Sequence, residues 1–357
     1  MPQTDPTTAF PNYEYCTEEH LKKDVEEHQD ICARRWLPAW IAFVDSAINI
    51  VCLEEQEALH WHVVTRGPEL QRDGAILFTH RPACRVGERK DMFPSDMKAF
   101  DRQSAVFFHN CRHTIHISTG MTALLFQDLP VSLRIANIAG TVPKQEMRMR
   151  RDYNSVWSLA QIHTVVEIAP QEEAHESICG GLYLDPSRPQ YRYEQGAILC
   201  SKYPVDTTTT SSTWSDFGFE YDLIKAGRYN ELPDQHILSR TQCLECEITA
   251  RTINNVLWDV IREVGGLQSL RAMNEEERNK VLQKLRLDWR DRFRKLRDDL
   301  DHIHFPTQES AQESAQQCAC GPDDLAMLED RMDRAMGDGH VKAMEALKKV
   351  AGRHLPL

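Results

Sequence analysis

The chain has 357 residues, 41% of them hydrophobic and 8% aromatic, enough for one large domain or two modest ones. Its formal net charge of −12 excludes a protein that coats nucleic acid over its whole surface, and leaves room only for a local basic patch. The opening MPQTDPTTAF lacks a basic segment followed by an apolar run, and no stretch approaches the roughly 18 apolar residues a membrane span needs. The expectation is therefore a soluble cytoplasmic protein whose 11 cysteines are mostly reduced thiols rather than a disulfide framework.

Residues 1–15 are polar, carry three prolines and read as a loose tail. From about Glu18 to Glu57 the pattern is helical, with WLPAWIAFVDSAINIVCL facing a core. Between Gly67 and Ser104, Gly, Pro and Asp punctuate short segments such as AILF, and loops are expected to dominate. From Cys111 to about Asp128 a helix is predicted, because Ile117, Met121, Leu124 and Leu125 fall on one face. DLP ends it, since a residue before proline resists the helical region.

VSLRIANIAGTV, rich in β-branched and apolar residues, reads as a buried strand. LAQIHTVVEIAP is a second, with His163, Val165 and Glu167 on one face and Ile162, Thr164, Val166 and Ile168 on the other. GGLYLDPS is a third, short strand ending in a turn. TTTTSST is a loop, and Arg240–Val264 is helical. Residues 265–305 form a basic amphipathic helical extension, 306–321 a polar linker containing QESAQESAQQ, and 322–357 an amphipathic helical tail broken near Gly337 and Gly339.

Thiol catalysis needs an ionised cysteine, a histidine that moves its proton and a polar group that orients the histidine. A cysteine at a helix N-terminus meets unpaired N–H groups that favour a thiolate and can hold an oxyanion. In this chain NCRH opens a helix, QIHTVVEI carries a histidine in a strand, and LYLDPS ends a strand in aspartate. That order resembles the transglutaminase core, which arylamine N-acetyltransferases share within the papain-like cysteine superfamily. The resemblance covers about residues 105–190. It implies Cys111 as nucleophile, His163 as base and Asp185 as the orienting carboxylate. It also implies an α+β catalytic domain over 16–264, a Cys-led helix packed on a mostly antiparallel sheet, with helical N- and C-terminal extensions.

The spacing departs from compact members, and PKQEMRMRRDYNSVW and APQEEAHESICGG would be insertions. No tryptophan lies close upstream of Cys111 to help hold an oxyanion, as transglutaminases proper have; Asn110 and Gln103 are the side-chain substitutes. An aspartate-rich calcium loop is absent, which argues against calcium-dependent crosslinking, and no cofactor or metal is expected. His113 and His116 share a helix face near Cys111, but zinc wants four ligands and no fourth is evident. The Cys243/Cys246 CxxC lies in a helical pattern and reads as packing; Cys318/Cys320 lies in the linker.

Between Arg278 and Arg297 nine basic residues face only Asp288 and Asp291, a local charge of +7. Leu282, Leu285, Trp289, Phe293 and Leu296 form an apolar stripe, with Lys284, Arg290, Arg294 and Arg297 away from it. Such a helix is either a solvated face or a surface for a polyanionic acyl donor, an aminoacyl-tRNA or a coenzyme A thioester. EMRMRRD at 146–152 is a second basic spot.

Three functions are compatible with these residues. In the first, a thiol acyltransferase passes an acyl group from the donor through a thioester to a small amine or amino acid, as in peptide or cyclodipeptide synthesis. A cysteine hydrolase (amidase, peptidase or deamidase) would use the same triad with water. The third is an inactive papain-like binding module. A nucleic-acid deaminase is excluded, because its His-x-Glu and Pro-Cys-x-x-Cys are missing.

Overall fold

The computed structural model describes residues 25–59, 62–82, 93–108, 111–129, 131–151, 156–158, 162–170, 181–194, 196–205, 212–219, 240–300 and 322–350. The loose tail, the polar linker with its CxC, and Asn110 lie outside them. The chain divides into a short unit, Met1–Ile41, and a compact unit, Ala42–Leu357, which holds both sheets and the candidate site. No helix among the described residues is long and apolar enough to cross a membrane.

The protein is α+β, with two sheets. In order, the elements are α1 (Val25–Leu59), β1 (His62–Leu70), β2 (Ile76–Pro82), α2 (Ala99–Val106), α3 (Cys111–Phe126), β3 (Val131–Ala139), β4 (Met147–Arg151), β5 (Val156–Ser158), β6 (Ile162–Pro170), β7 (Leu182–Leu184), β8 (Ala197–Leu199) and β9 (Ser212–Asp216). Five helices follow: α4 (Arg240–Glu263), α5 (Leu267–Ala272), α6 (Glu275–Asp299), α7 (Pro322–Arg334) and α8 (Asp338–Val350).

The five-stranded sheet has the order β8-β7-β6-β3-β9 and every pairing in it is antiparallel. Because alternate residues point to opposite faces, Ala136, Ile138 and Val165 pack with Tyr183 and Tyr203 on one side. Leu133, Ile135, Val166 and Ile168 are buried on the other. Both α3 and α8 pack against this sheet.

The smaller sheet corrects the expectation of loops between 67 and 104. Here β1 pairs with β2, β2 runs parallel to β4, and β5 closes the order β1-β2-β4-β5. Val64, Ile76, Phe78, Met147 and Met149 form its core with Met97, Ala105 and Phe108. Across the supposed insertion at 143–157, Met147–Arg151 and Val156–Ser158 are strands of this sheet. Two of the residues that suggested loops, Gly67 and Pro68, sit inside β1, where Gly67 has φ 122°.

The C-terminal segment is part of the core rather than a tail. Along α8, Ala343, Ala346, Leu347 and Val350 are buried, and the helix packs on α3 and α4. Asn255 of α4 joins both halves of this segment. Its Nδ2 donates to Ala335 O at 2.9 Å after α7, and its Oδ1 accepts from His340 N at 3.0 Å at the start of α8. A Cβ at Gly339 would fall 2.5 Å from Asn254 O, so glycine is what lets α8 approach α4.

Candidate active site

Cys111 is the first residue of α3, where the main-chain N–H groups of the opening turn have no partners within the helix. Cys111 is partly exposed as a residue, whereas His163 and Asp185 are fully buried. His163 stands on β6 opposite Ile138 of β3, and that ladder fixes which face its ring takes. Asp185 follows directly on β7, which pairs with β6 through Leu184 and Val166. The turn after β7 therefore returns the carboxylate beside the ring.

His163 Nε2 lies 2.9 Å from Asp185 Oδ2. The Cys111 thiol and the same ring influence each other's charge. Burial opposes charge on all three groups, but their mutual attraction outweighs it. At Cys111 burial pushes the thiol up. The hydrogen bond and charge of His163, the main-chain N–H of Thr164 and the charge of Arg112 together hold it below an ordinary thiol. Burial would lower the His163 imidazole, yet Asp185 and Cys111 carry it up to about 9. Asp185 is held below the usual carboxylate range against its burial, first by His163 and then by Tyr203 and Arg188. Both shifts favour the thiolate–imidazolium pair over the neutral pair.

The carboxylate is fixed from several sides. Tyr203 Oη donates to Asp185 Oδ2 at 2.7 Å, and Ser187 donates to Oδ1 from its main-chain N at 3.2 Å and its Oγ at 3.3 Å. The Tyr191 ring packs on the imidazole, with centroids 4.4 Å apart and planes tilted by 60°. Arg192 ties this loop to α2: its Nη1 donates to Asp101 Oδ1 at 2.7 Å and Ser104 Oγ at 3.1 Å, and its guanidinium lies over Phe100. Of these supports, only the Ser187 contact had a sequence signal, the Asp-x-Ser turn of LDPS. Tyr191, Arg192 and Tyr203 had none.

The remaining expected site residues are placed as follows. Gln103 lies half-buried on α2, and its main-chain carbonyl accepts from Phe107 N at 3.0 Å. The contacts that set the charge of Cys111 are those of His163, Thr164 and Arg112. His113 Nε2 sits 3.0 Å from Glu55 Oε1, and its Nδ1 is 3.4 Å from Cys246 Sγ. The second cysteine of the CxxC is thus buried against His113, whereas the Cys243 side chain lies outside the described residues. Among the described residues, no three His, Cys, Asp or Glu side chains are arranged to hold a metal ion.

The basic helix is α6, and much of its charge is met internally. Buried Glu54 accepts from Arg290 Nε at 2.8 Å and Nη2 at 2.7 Å, and from Arg286 Nε at 2.6 Å. Lys284 pairs with Glu263 at 3.2 Å and Asp288 at 3.3 Å, and Arg297 with Asp298 at 3.2 Å. Arg292, Arg294 and Lys295 are exposed. Three glutamates open the helix, and Asp298 and Asp299 close it. The basic spot on β4 is likewise reduced, since Arg148 pairs with Asp73 at 2.7 Å and Glu146 at 2.9 Å.

Compared with family models, curated proteins and solved structures, the chain matches none.

Proposed function

We propose that this chain is a cysteine-dependent acyltransferase on a papain-like, transglutaminase-like core. The observation that carries the reading is the line from Cys111 at the start of α3 through buried His163 to buried Asp185. A structural cysteine needs neither a helix N-terminus nor a charged histidine held by a carboxylate.

In the first half-reaction the Cys111 thiolate attacks the acyl carbonyl carbon. The bond to the leaving group breaks, and the leaving group takes the His163 proton. The opening N–H groups of α3 face the developing oxyanion. In the second half an amine attacks the thioester, gives its proton to His163 and leaves as an amide, which regenerates the thiolate. Asp185 holds the imidazole in the one orientation that both transfers need. A polyanionic donor, an aminoacyl-tRNA or a coenzyme A thioester, is the donor class we favour, with exposed Arg292, Arg294 and Lys295 as its phosphate contacts.

The test is limiting iodoacetamide on the native protein at about pH 6, where an ordinary thiol is almost wholly protonated, with every cysteine mapped by peptide mass spectrometry. Cys111 should label first, and His163→Ala should remove that preference. Incubation with charged tRNA or acyl-CoA should then add the acyl mass to Cys111. An acyl-enzyme that decays equally fast with and without amines would make the enzyme a hydrolase. A Cys111 that labels only after denaturation would rule out thiol catalysis and leave a binding module.

A further inference from the structure

We propose that Asp45 is a positioning residue for the thiol–imidazole pair, acting through Arg188 on Asp185. This inference rests on the reading of Cys111 as the nucleophile.

Asp45 lies on α1, 143 positions from Arg188, and the two meet with Arg188 Nη1 2.9 Å from Asp45 Oδ1. Both side chains are largely buried, each about 12% exposed. The same Nη1 reaches the Asp185 main-chain carbonyl at 3.3 Å, and Arg188 Nε donates to Glu194 O at 3.2 Å. Arg188 therefore braces the main chain on both sides of the turn that presents Asp185 and Tyr191. Gly196 shows how closely this brace is built in. Its carbonyl accepts from Asp185 N at 2.8 Å, and a Cβ on it would fall 2.0 Å from Asp45 Oδ1 and 2.2 Å from Arg188 Nη1. Only glycine allows the strand that anchors Asp185 to pass over the ion pair.

The charges alternate along the path: Asp45 negative, Arg188 positive, Asp185 negative, His163 positive and Cys111 negative. With Asp45 ionised, Arg188 is neutralised from the α1 side. With Asp45 neutral, Arg188 is left with Asp185 as its nearest anion and competes for the carboxylate that His163 needs. The charged groups that face Asp45 are Arg188 and Asp185. Burial carries the Asp45 carboxyl up to about 6, which Arg188 restrains and the like charge of Asp185 reinforces. Asp45 should therefore change state near pH 6.

The experiment is the rate of Cys111 alkylation by iodoacetamide from about pH 5 to pH 9. It is run on the wild-type chain, Asp45→Asn, Arg188→Gln and the double variant, with folding checked by circular dichroism. The wild type should show an inflection near pH 6 in addition to that of the thiol. Asp45→Asn should lack the inflection and label up to about tenfold more slowly on the acid side of the thiol's own inflection, the factor that one unit of thiol pKa provides there. The Arg188→Gln rate should not change further when Asp45→Asn is added, since one path carries both effects. A wild-type thiolate that labels well, with an Asp45→Asn profile that superimposes on it or single effects that add, would overturn this inference alone. A wild-type Cys111 that fails to label below pH 7 would overturn the nucleophile reading and this inference with it.

Discussion

Tyr203 places its hydroxyl 2.7 Å from Asp185 Oδ2, the same oxygen that stands 2.9 Å from His163 Nε2. One carboxylate oxygen thus lies within 3 Å of both groups, and burial keeps the phenol protonated well above its ordinary range, so that it always donates. Tyr203→Phe removes the donor and keeps the ring packing on Tyr183. A hydrogen bond to a charged group contributes about 1.5–3 kcal/mol, and we expect a loss of about 2 kcal/mol in urea unfolding at pH 7. The folded Asp185 carboxyl sits below its unfolded value, so its stabilising contribution is present above about pH 4 and fades as pH falls through the folded value. The deficit of the variant should shrink between pH 7 and about pH 3. An equal deficit at both would mean that Tyr203 contributes by packing alone.

Gly120 lies inside α3, where alanine would ordinarily stabilise a helix by about 1 kcal/mol. The packing decides otherwise. A Cβ there would be 2.5 Å from Asn254 Nδ2, and Asn254 is fully buried on α4, with that nitrogen 3.3 Å from His340 Nδ1. Overpacking of this kind costs about 1–3 kcal/mol. Gly120→Ala should lower the melting temperature, and Asn254→Ala in the same chain should recover part of the loss. A rise in melting temperature for Gly120→Ala would show that α3 and α4 pack less closely than described.

His113 and His116 sit on consecutive turns of α3 and should titrate in opposite directions. Burial disfavours charge on both. At His113 the Glu55 carboxylate 3.0 Å away and the Cys246 thiol reverse that and hold the ring well above its ordinary value. At His116 burial wins, and the ring falls to about 4 despite Glu247. The stabilisation from His113 is therefore full below about pH 6.5 and lost as pH rises through its folded value. His116 acts the other way: its unfolded ring takes up a proton below about pH 6.5 that the folded ring refuses, at a cost of roughly 3 kcal/mol by pH 4. Imidazole NMR should find His113 protonated and His116 neutral at pH 7. His116→Gln should flatten the acid side of the stability curve. Two rings titrating together near 6.5 would contradict this interior.

Where one periodicity governed a segment, sequence and structure agree closely. The apolar spacing of Ile117, Met121, Leu124 and Leu125 marked α3, and α3 runs from Cys111 to Phe126. The alternation in QIHTVVEI placed His163 on the same face as Val165 and Glu167, as the pairing of β6 with β3 has it. The strands β1 and β2 were missed because Gly67, Pro68 and Gly74 are turn formers by local chemistry. The pairing of β2 with β4, from residues about 70 positions on, holds them extended all the same.

The sequence by itself determined the order of chemistry-bearing elements: a cysteine opening a helix, a histidine in a strand, an aspartate ending the next. It could do so because helix and strand signals arise from neighbours within a few residues. What only the tertiary structure decided is which charges find partners. Arg290 reads as a solvated cation until Glu54, 236 positions earlier, is seen buried against it. Asp45 and Arg188, 143 positions apart, carry no local sign of each other until the fold brings them together beneath Gly196. Ion pairing depends on a few ångströms of approach and on the water excluded around it, and both are set by how helices and strands pack rather than by any local pattern.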